Sequence, residues 1–292
     1  METGAALTIF LMSAIGLMSL SGSFNFRVHG NNDECPSPSV CVLFEGVPSV
    51  FCNGSELTEV PKGIPNDTQF LDISNNSIKH ITYGVLTGLL NLTKIDLKLN
   101  GFQDNSIAIG ALELPNLLTV DLSLNNFTEI PKFLPISVKQ LFITFNMLTE
   151  LHDNSFVLMP RLEYLDFSNN YLSKIEPWTF LPLEHLQTIY FLYNRLTDDS
   201  FPPNVFMGNT NLKMLMFCFN QLENMVPDLP SSLEGIGYVG NKLSIIPTHA
   251  FANLPNLANI EIWQNEVSLT LTIVSHVNLH QPKLPLCQIK RF

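Results

Sequence analysis

Apolar and polar residues alternate along this chain in short bursts, each closed by an asparagine. In Leu162-Glu163-Tyr164-Leu165-Asp166-Phe167-Ser168-Asn169-Asn170-Tyr171-Leu172 the spacing is L-x-x-L-x-L-x-x-N-x-L. Leu165 and Phe167 alternate with Tyr164, Asp166 and Ser168, and a period of two predicts a strand with one buried face and one wet face. Asn170 falls where the chain turns inward. Its amide can satisfy backbone groups that a β-branched or charged residue would leave unpaired. The same pattern returns at Asn76, Asn100, Asn125, Asn146, Asn194, Asn220, Asn241 and Asn265, at intervals of 21 to 26 residues. One such unit cannot bury its own apolar face, whereas stacked units can.

Nine copies in register have the form of a leucine-rich repeat. They predict an α/β repeat solenoid over residues 57–267. It is a horseshoe with a curved parallel β-sheet on its concave side and a mostly irregular or 3₁₀ convex side. The short copies share a phrase before the strand, with prolines at Pro61 and Pro65, Pro131 and Pro135, and Pro227 and Pro230. Paired prolines predict extended or polyproline backbone on the outer side. Long copies instead carry Phe180-Leu181-Pro182-Leu183 or the segment Phe251 to Leu257, read as a helical turn or a 3₁₀ segment.

The flanks differ from the repeats. The apolar run Ala5 to Leu20 ends in small residues and predicts a secretory signal peptide over 1–23, cleaved near Ser21 or Ser23. No Lys or Arg precedes the run, so an uncleaved signal anchor is the alternative. No second run reaches about 18 apolar residues, so the cleaved chain is expected to be soluble and off the membrane. Residues 24–56 hold Cys35, Cys41 and Cys52 and read as a disulfide-containing cap that closes the first coil's open edge. After Val267 the pattern stops. Residues 268–292 form an atypical tail with a lone Cys287, and an uncapped last coil predicts lower stability than that of full-length relatives.

The formal net charge is −11 and only 14% of residues are charged, which argues against nucleic acid as a partner. One pair has ligand-like spacing, His276-Val277-Asn278-Leu279-His280. On a helix the two rings would share a face and could grip a metal; on a strand they would lie about 13 Å apart. The Glu of an H-E-x-x-H site is absent and no third ligand is evident. There is no C-x-x-C, G-x-S-x-G or phosphate loop. No catalytic centre, metal or cofactor is expected. Five N-x-S/T sequons, at Asn53, Asn66, Asn75, Asn91 and Asn126, predict N-glycosylation of the first half. Asn75 and Asn126 adjoin a ladder asparagine and are expected to be crowded.

Counting the first leucine of the template as position 1, positions 3, 5 and 7 face out of the concave sheet, where such arrays usually bind. Two zones emerge. Asp72, Asp96, Asp121 and Asp166 share position 5, broken only by Phe142 and flanked by Lys94, Lys98, Ser74, Ser123 and Ser168. Parallel strands set these carboxylates about 5 Å apart per repeat, which predicts a cation or basic partner; solvated aspartates without a role are the plain alternative. The second zone carries Tyr190, Leu192, Met214, Met216, Cys218, Val239 and Trp263. It predicts an exposed apolar interface, with Cys218 facing it, an odd place for a free thiol in a secreted chain; the state of Cys218 stays open. Gly235, Gly237 and Gly240 are expected to let a partner's backbone approach.

The cysteines and the short-long rhythm together resemble the small leucine-rich proteoglycans of the extracellular matrix, over about residues 35–267. That family's cap is C-x3-C-x-C-x6–9-C. Cys35, Cys41 and Cys52 match its first, third and fourth positions, Ser39 stands where the second Cys belongs, and the last interval is ten residues. The resemblance implies a Cys35–Cys41 disulfide and leaves Cys52 either free or in rearranged bonds. The cap interval is similar to the lumican and fibromodulin group; Asp198-Asp199-Ser200-Phe201-Pro202-Pro203 is similar to podocan-like members. The resemblance also implies a secreted matrix protein that binds fibrillar collagen or other matrix proteins through its concave face and modulates fibril assembly. Homodimers through the concave faces are a further implication. The rival is a soluble signalling protein, receptor-ectodomain-like or growth-factor-binding. Its repeats would be more uniformly about 24 residues long, and the recurring 21-residue copies favour the matrix reading.

Overall fold

The computed structural model describes residues 27–28, 35–132, 134–247 and 249–266. The signal segment 1–23, the tail 268–292, His276, His280 and Cys287 lie outside the described residues.

The strands are β1 (Arg27–Val28), β2 (Val40–Phe44), β3 (Val47–Phe51), β4 (Phe70–Asp72), β5 (Lys94–Asp96), β6 (Thr119–Asp121), β7 (Gln140–Phe142), β8 (Glu150–Leu151), β9 (Tyr164–Asp166), β10 (Lys174–Ile175), β11 (Thr188–Tyr190), β12 (Met214–Met216), β13 (Gly235–Gly237) and β14 (Asn259–Glu261). Twelve of them form one sheet in chain order; β8 and β10 pair separately. β2 and β3 form an antiparallel hairpin at the leading edge. β3 pairs with β4 in parallel, and every later neighbour in the sheet is parallel. Each repeat contributes one three-residue strand in identical register, so equivalent template positions stand in rows across the sheet. This is a leucine-rich-repeat horseshoe. Its described residues contain no α-helix and one 3₁₀ turn, Asp198–Ser200, so the outer side is almost wholly irregular. Phe180–Leu183 and Phe251–Leu257 run as successive turns rather than helix, with Leu183 N–H to Phe180 C=O at 3.0 Å and Leu254 N–H to Phe251 C=O at 3.1 Å. Pro182 and Pro255 remove the donors that would continue them.

The interior is a stack of like residues. Phe167, Phe191, Phe217 and Tyr238 at position 6 lie in successive coils with ring centroids 5.6, 5.8 and 5.2 Å apart. Phe156, Phe180 and Phe206 form a second file beneath the outer turns, at 6.1 and 5.4 Å. All are buried, and full burial of each ring contributes about 1.5–3 kcal/mol. The asparagines form a ladder as expected. Asn170 Oδ1 accepts from Leu148 N–H, and its Nδ2 donates to the carbonyls of Ile143, Phe167 and Ser168.

The inward turn has a feature that the spacing did not announce. The residue before each ladder asparagine has positive φ: Asn75, Leu99, Leu124, Phe145, Asn169, Tyr193, Phe219 and Gln264 lie between 51° and 58°, and Gly240 at 66°. A left-handed side chain costs about 1–2 kcal/mol. The hydrogen bonds of the adjacent amide, which need that turn, offset it.

At the leading edge Cys35 and Cys41 are disulfide-bonded, matching the pairing that the family resemblance implied. Cys52 is a free, buried thiol in contact with Ser39 Oγ. Burial, and secondarily the Asp72 charge, push it up to about 11 against the opposing Ser39 contact. A buried neutral thiol of this kind is inert.

Candidate functional site

The position 5 row places Asp72, Asp96, Asp121, Phe142, Asp166, Tyr190, Met216 and Gly237 side by side, ending at Glu261. The aspartates share a local geometry. One oxygen of each accepts the N–H of the residue two places on: Ser74 to Asp72 at 2.9 Å, Lys98 to Asp96 at 3.0 Å, Ser123 to Asp121 at 3.0 Å, and Ser168 to Asp166 at 2.9 Å. Each carboxylate therefore braces its own strand end, a structural task that periodicity alone did not disclose.

The charges are unevenly compensated. Lys98 Nζ lies 3.0 Å from Asp96 and 3.7 Å from Asp121. Burial acts to lower the Lys98 ammonium, but Asp96 and Asp121 outweigh it and hold it above its ordinary value. Asp72 and Asp121 are both pushed up to about 6, first by burial and then by the Asp96 charge, against Lys98 and their serine hydrogen bonds. Asp166 is raised by burial, with Ser168 opposing. Among the described residues Asp166 has no ion pair. It stands between Phe142 and Tyr190 in its row, with Tyr164 two positions before it on the same strand and face. The Phe142 and Tyr164 rings are 4.9 Å apart, and those of Tyr164 and Tyr190 are 5.6 Å apart. Burial first, and then Asp166, raise both tyrosine hydroxyls. All four residues keep part of their surface in solvent. The result is a half-buried carboxylate walled by three aromatic rings. Phe142 and Tyr164 were visible in the sequence at positions 5 and 3, where the first had registered only as a break in the acidic row.

A carboxyl that titrates near 6 when folded and near 4 when unfolded is more protonated in the folded state across that window. Its contribution to stability is therefore greatest below about pH 4 and is lost as pH rises through about 6. The substitution Asp72→Ser tests this. A serine hydroxyl accepts the same N–H more weakly, and asparagine is avoided because it would create the sequon N-x-S with Ser74. At pH 7.5 the variant is expected to be more stable by about 1 kcal/mol, and at pH 4.5 equal or less stable. Denaturant midpoints at the two pH values check this, and a variant less stable at both overturns it.

The apolar zone departs from its expectation of an exposed interface. Leu192, Met216, Cys218 and Val239 are buried and form a second cluster apart from the main core, with Tyr190, Met214 and Phe219 packed against it. Side chains from adjacent coils stand close enough across the parallel sheet to bury one another. Leu192 and Met216 are thus removed from solvent, whereas Tyr190 and Met214 remain half-buried and Trp263 is exposed. Cys218, whose state the sequence left open, is disulfide-bonded. The glycines do not await a partner's backbone either. A Cβ on Gly235 would come within 2.6 Å of Met214 Sδ, and one on Gly240 within 2.5 Å of the Phe219 ring. The chain's own side chains already fill those spaces.

Of the sequon asparagines, Asn66, Asn75, Asn91 and Asn126 are exposed and Asn53 is half-buried. Asn75 and Asn126, the pair expected to be crowded, are themselves exposed. Asn91 Nδ2 donates to Asn66 C=O at 3.2 Å, so those two sequons are neighbours on adjacent coils. No group of three His, Cys, Asp or Glu side chains among the described residues is arranged to hold a metal ion.

The family described as leucine rich repeat matches residues 136–196. Mouse podocan is 30% identical over 80% of this chain, which spans 34% of podocan. Chicken (Gallus gallus) lumican is 32% identical over 69% of this chain, spanning 51% of lumican, and mouse keratocan 29% identical over 89%, spanning 67% of keratocan. The chain thus covers between a third and two thirds of these relatives. A chain from the solved octameric complex of latrophilin 3 (Lec, Olf), Unc5D (Ig, Ig2, TSP1) and FLRT2 (LRR) superposes with a TM-score of 0.51 at 22% identity, covering 80% of this chain and 78% of that one; this likeness concerns the fold alone. The chain is a leucine-rich-repeat protein related to the small leucine-rich proteoglycans of the extracellular matrix.

Proposed function

We propose that this chain is a secreted extracellular-matrix protein that binds matrix polypeptides, fibrillar collagen foremost, through its concave sheet, and so modulates fibril assembly. Binding is stoichiometric and non-catalytic. The observation that carries the reading is Asp166, a half-buried carboxylate without an ion pair among the described residues, standing between Phe142 and Tyr190 in its row. An arginine or lysine side chain seated there would meet the carboxylate at its head and aromatic faces along its stem. Each adds to the other because the site is already partly desolvated. The relatedness to podocan, lumican and keratocan supports an extracellular matrix setting. The exposed sequons of the first half suit a secreted glycoprotein, with glycans standing off the acidic end of the sheet.

The test is co-sedimentation of the secreted, folded chain with reconstituted fibrillar collagen, beside Asp166→Ser and Tyr190→Ala. Each variant is expected to bind about tenfold more weakly, as for a central anchor of an interface, and the parent's binding should weaken as salt rises. A folded parent that does not bind, or variants that bind as tightly as the parent, overturns the reading.

A further inference from the structure

The chain has five cysteines: Cys35, Cys41, Cys52, Cys218 and Cys287. Cys35 and Cys41 are bonded to each other, Cys52 is free, and Cys218 is disulfide-bonded. Elimination leaves Cys287, outside the described residues, as the partner of Cys218. A disulfide holds its two Cα atoms within about 7 Å. Cys218 stands at position 7 on the concave side, inside the second apolar cluster, so the bond brings the segment around Cys287 onto that face. Burial on the same face points the same way. Packing between coils covers the flanks of an outward side chain but does not reach its outer end. Met216 is 0% exposed although Gly237, its neighbour in the row, offers no side chain. Glu261 is more telling. It lies on β14, the last strand of the sheet among the described residues, and its neighbour in the row is again Gly237. A glutamate with nothing above it there would stand in water, yet Glu261 is 2% exposed. Glutamates are almost never buried so fully unless paired.

We infer that segment 283–287 lies across the concave side of the coils of Asn220, Asn241 and Asn265 as a strap, held by a Cys218–Cys287 disulfide and by an ion pair between Lys283 and Glu261. The spacing supports this register. Lys283 precedes Cys287 by four residues, and four residues of extended, proline-containing chain span about 12 Å. From Cys218 to Glu261 the sheet runs two strand spacings across and two residues along, which is also about 12 Å. The composition fits the surface beneath. Leu284 and Leu286 are apolar like Met216 and Val239, and Pro282 and Pro285 carry no N–H to leave unmet there. Glu266 and Cys287 are 21 residues apart, ample chain to return across three coils. The apolar half of the concave side is then filled by the chain itself. Phe142, Tyr164 and Asp166, on β7 and β9, keep their part-exposed surface, so the inference does not rest on the collagen reading and leaves that site open.

The experiment begins with peptide mapping of the secreted chain, alkylated in denaturant without reduction. A linked peptide pair holding Cys218 and Cys287 is expected within one chain, with Cys52 the alkylated thiol. Alkylated Cys287, or a Cys218 bond that joins two chains, overturns the inference. A carbodiimide, which couples a lysine to a carboxylate in contact with it, is then expected to join Lys283 to Glu261. Lys174 and Glu150, 2.9 Å apart, are the internal reference; coupling of that pair without Lys283–Glu261 overturns the placement. The third reading is methionine oxidation by peroxide, in the parent and in Cys287→Ser. Met207, 60% exposed, serves as the reactive reference, and Met159, 1% exposed in the main core, reports that the fold is kept. In the parent Met216 is expected to be protected; in Cys287→Ser it is expected to oxidise at least about tenfold faster while Met159 stays protected. Met216 equally protected in both would show that packing between coils buries it alone, and overturns the strap. Where Met159 also reacts, the variant has lost its fold, and the mapping and coupling of the parent decide.

Discussion

Asn125→Ala is expected to lower the free energy of unfolding by about 4 kcal/mol. Asn125 is buried, and its one amide ties together two adjacent coils. Oδ1 accepts from the N–H of Asn100 at 3.1 Å and of Phe102 at 3.0 Å. Nδ2 donates to the carbonyls of Leu97 at 3.1 Å, Leu122 at 2.9 Å and Ser123 at 3.1 Å. Truncation leaves several buried backbone groups unmet, each costing about 1–3 kcal/mol when no water replaces the partner. It also removes the compensation for the left-handed Leu124, φ 56°. Asn125→Asp separates this account from simple loss of volume. The carboxylate keeps both acceptor bonds but turns an oxygen towards three carbonyls, so at neutral pH it is expected to cost as much as alanine. On acidification a protonated carboxyl regains one donor, and its stability should recover relative to alanine, whose deficit stays constant. Chemical denaturation of the three proteins between pH 4.5 and 7.5 checks this. Parallel losses in the two variants at every pH would point to packing rather than to the amide. Neither substitution disturbs the sequon at Asn126, so glycan occupancy does not confound the comparison.

Ser39→Cys is expected to stabilise the chain by about 3 kcal/mol under oxidising conditions. Ser39 Oγ already touches Cys52 Sγ, and Ser39 occupies the place of the second cysteine in the family cap. The new bond would close a loop of 13 residues beside the existing Cys35–Cys41 bond. Its main effect is on the unfolded chain, whose freedom it restricts. It also pins the β2–β3 hairpin, which covers the open apolar edge of the first coil. The measurements are a mass lower by two hydrogens, loss of reaction with a thiol reagent after unfolding, and a higher denaturant midpoint that falls back to the parent's on reduction. Formation of the bond with no gain in midpoint would show that the hairpin is not a weak point of the array. Persistence of both thiols would contradict the observed proximity.

Much of this architecture is legible in the chain itself. A period of two inside each burst assigns Leu165 and Phe167 to the interior and Asp166 to the concave face. Recurrence of the asparagine at a near-constant interval puts Asp72, Asp96, Asp121 and Asp166 in one row, because parallel strands in identical register carry template positions into alignment. The disulfide Cys35–Cys41 followed from family resemblance rather than from spacing. The positive φ before each ladder asparagine escaped notice because six kinds of residue, from Leu to Gly, occupy it. The conformation is imposed there by the inward turn and not by the side chain.

What only the tertiary structure decided was which outward side chains stay outside. Alternation says on which side of a strand Leu192, Met216, Cys218 and Val239 emerge, but not what stands beside them on the neighbouring coils. Burial is a property of that lateral packing, and these four bury one another. The same holds for Gly235 and Gly240, whose vacant Cβ positions are filled by Met214 and Phe219. Periodicity along one chain fixes direction within a coil; contacts between coils depend on the side-chain volumes and loop lengths of neighbours, and those meet only after the array has stacked.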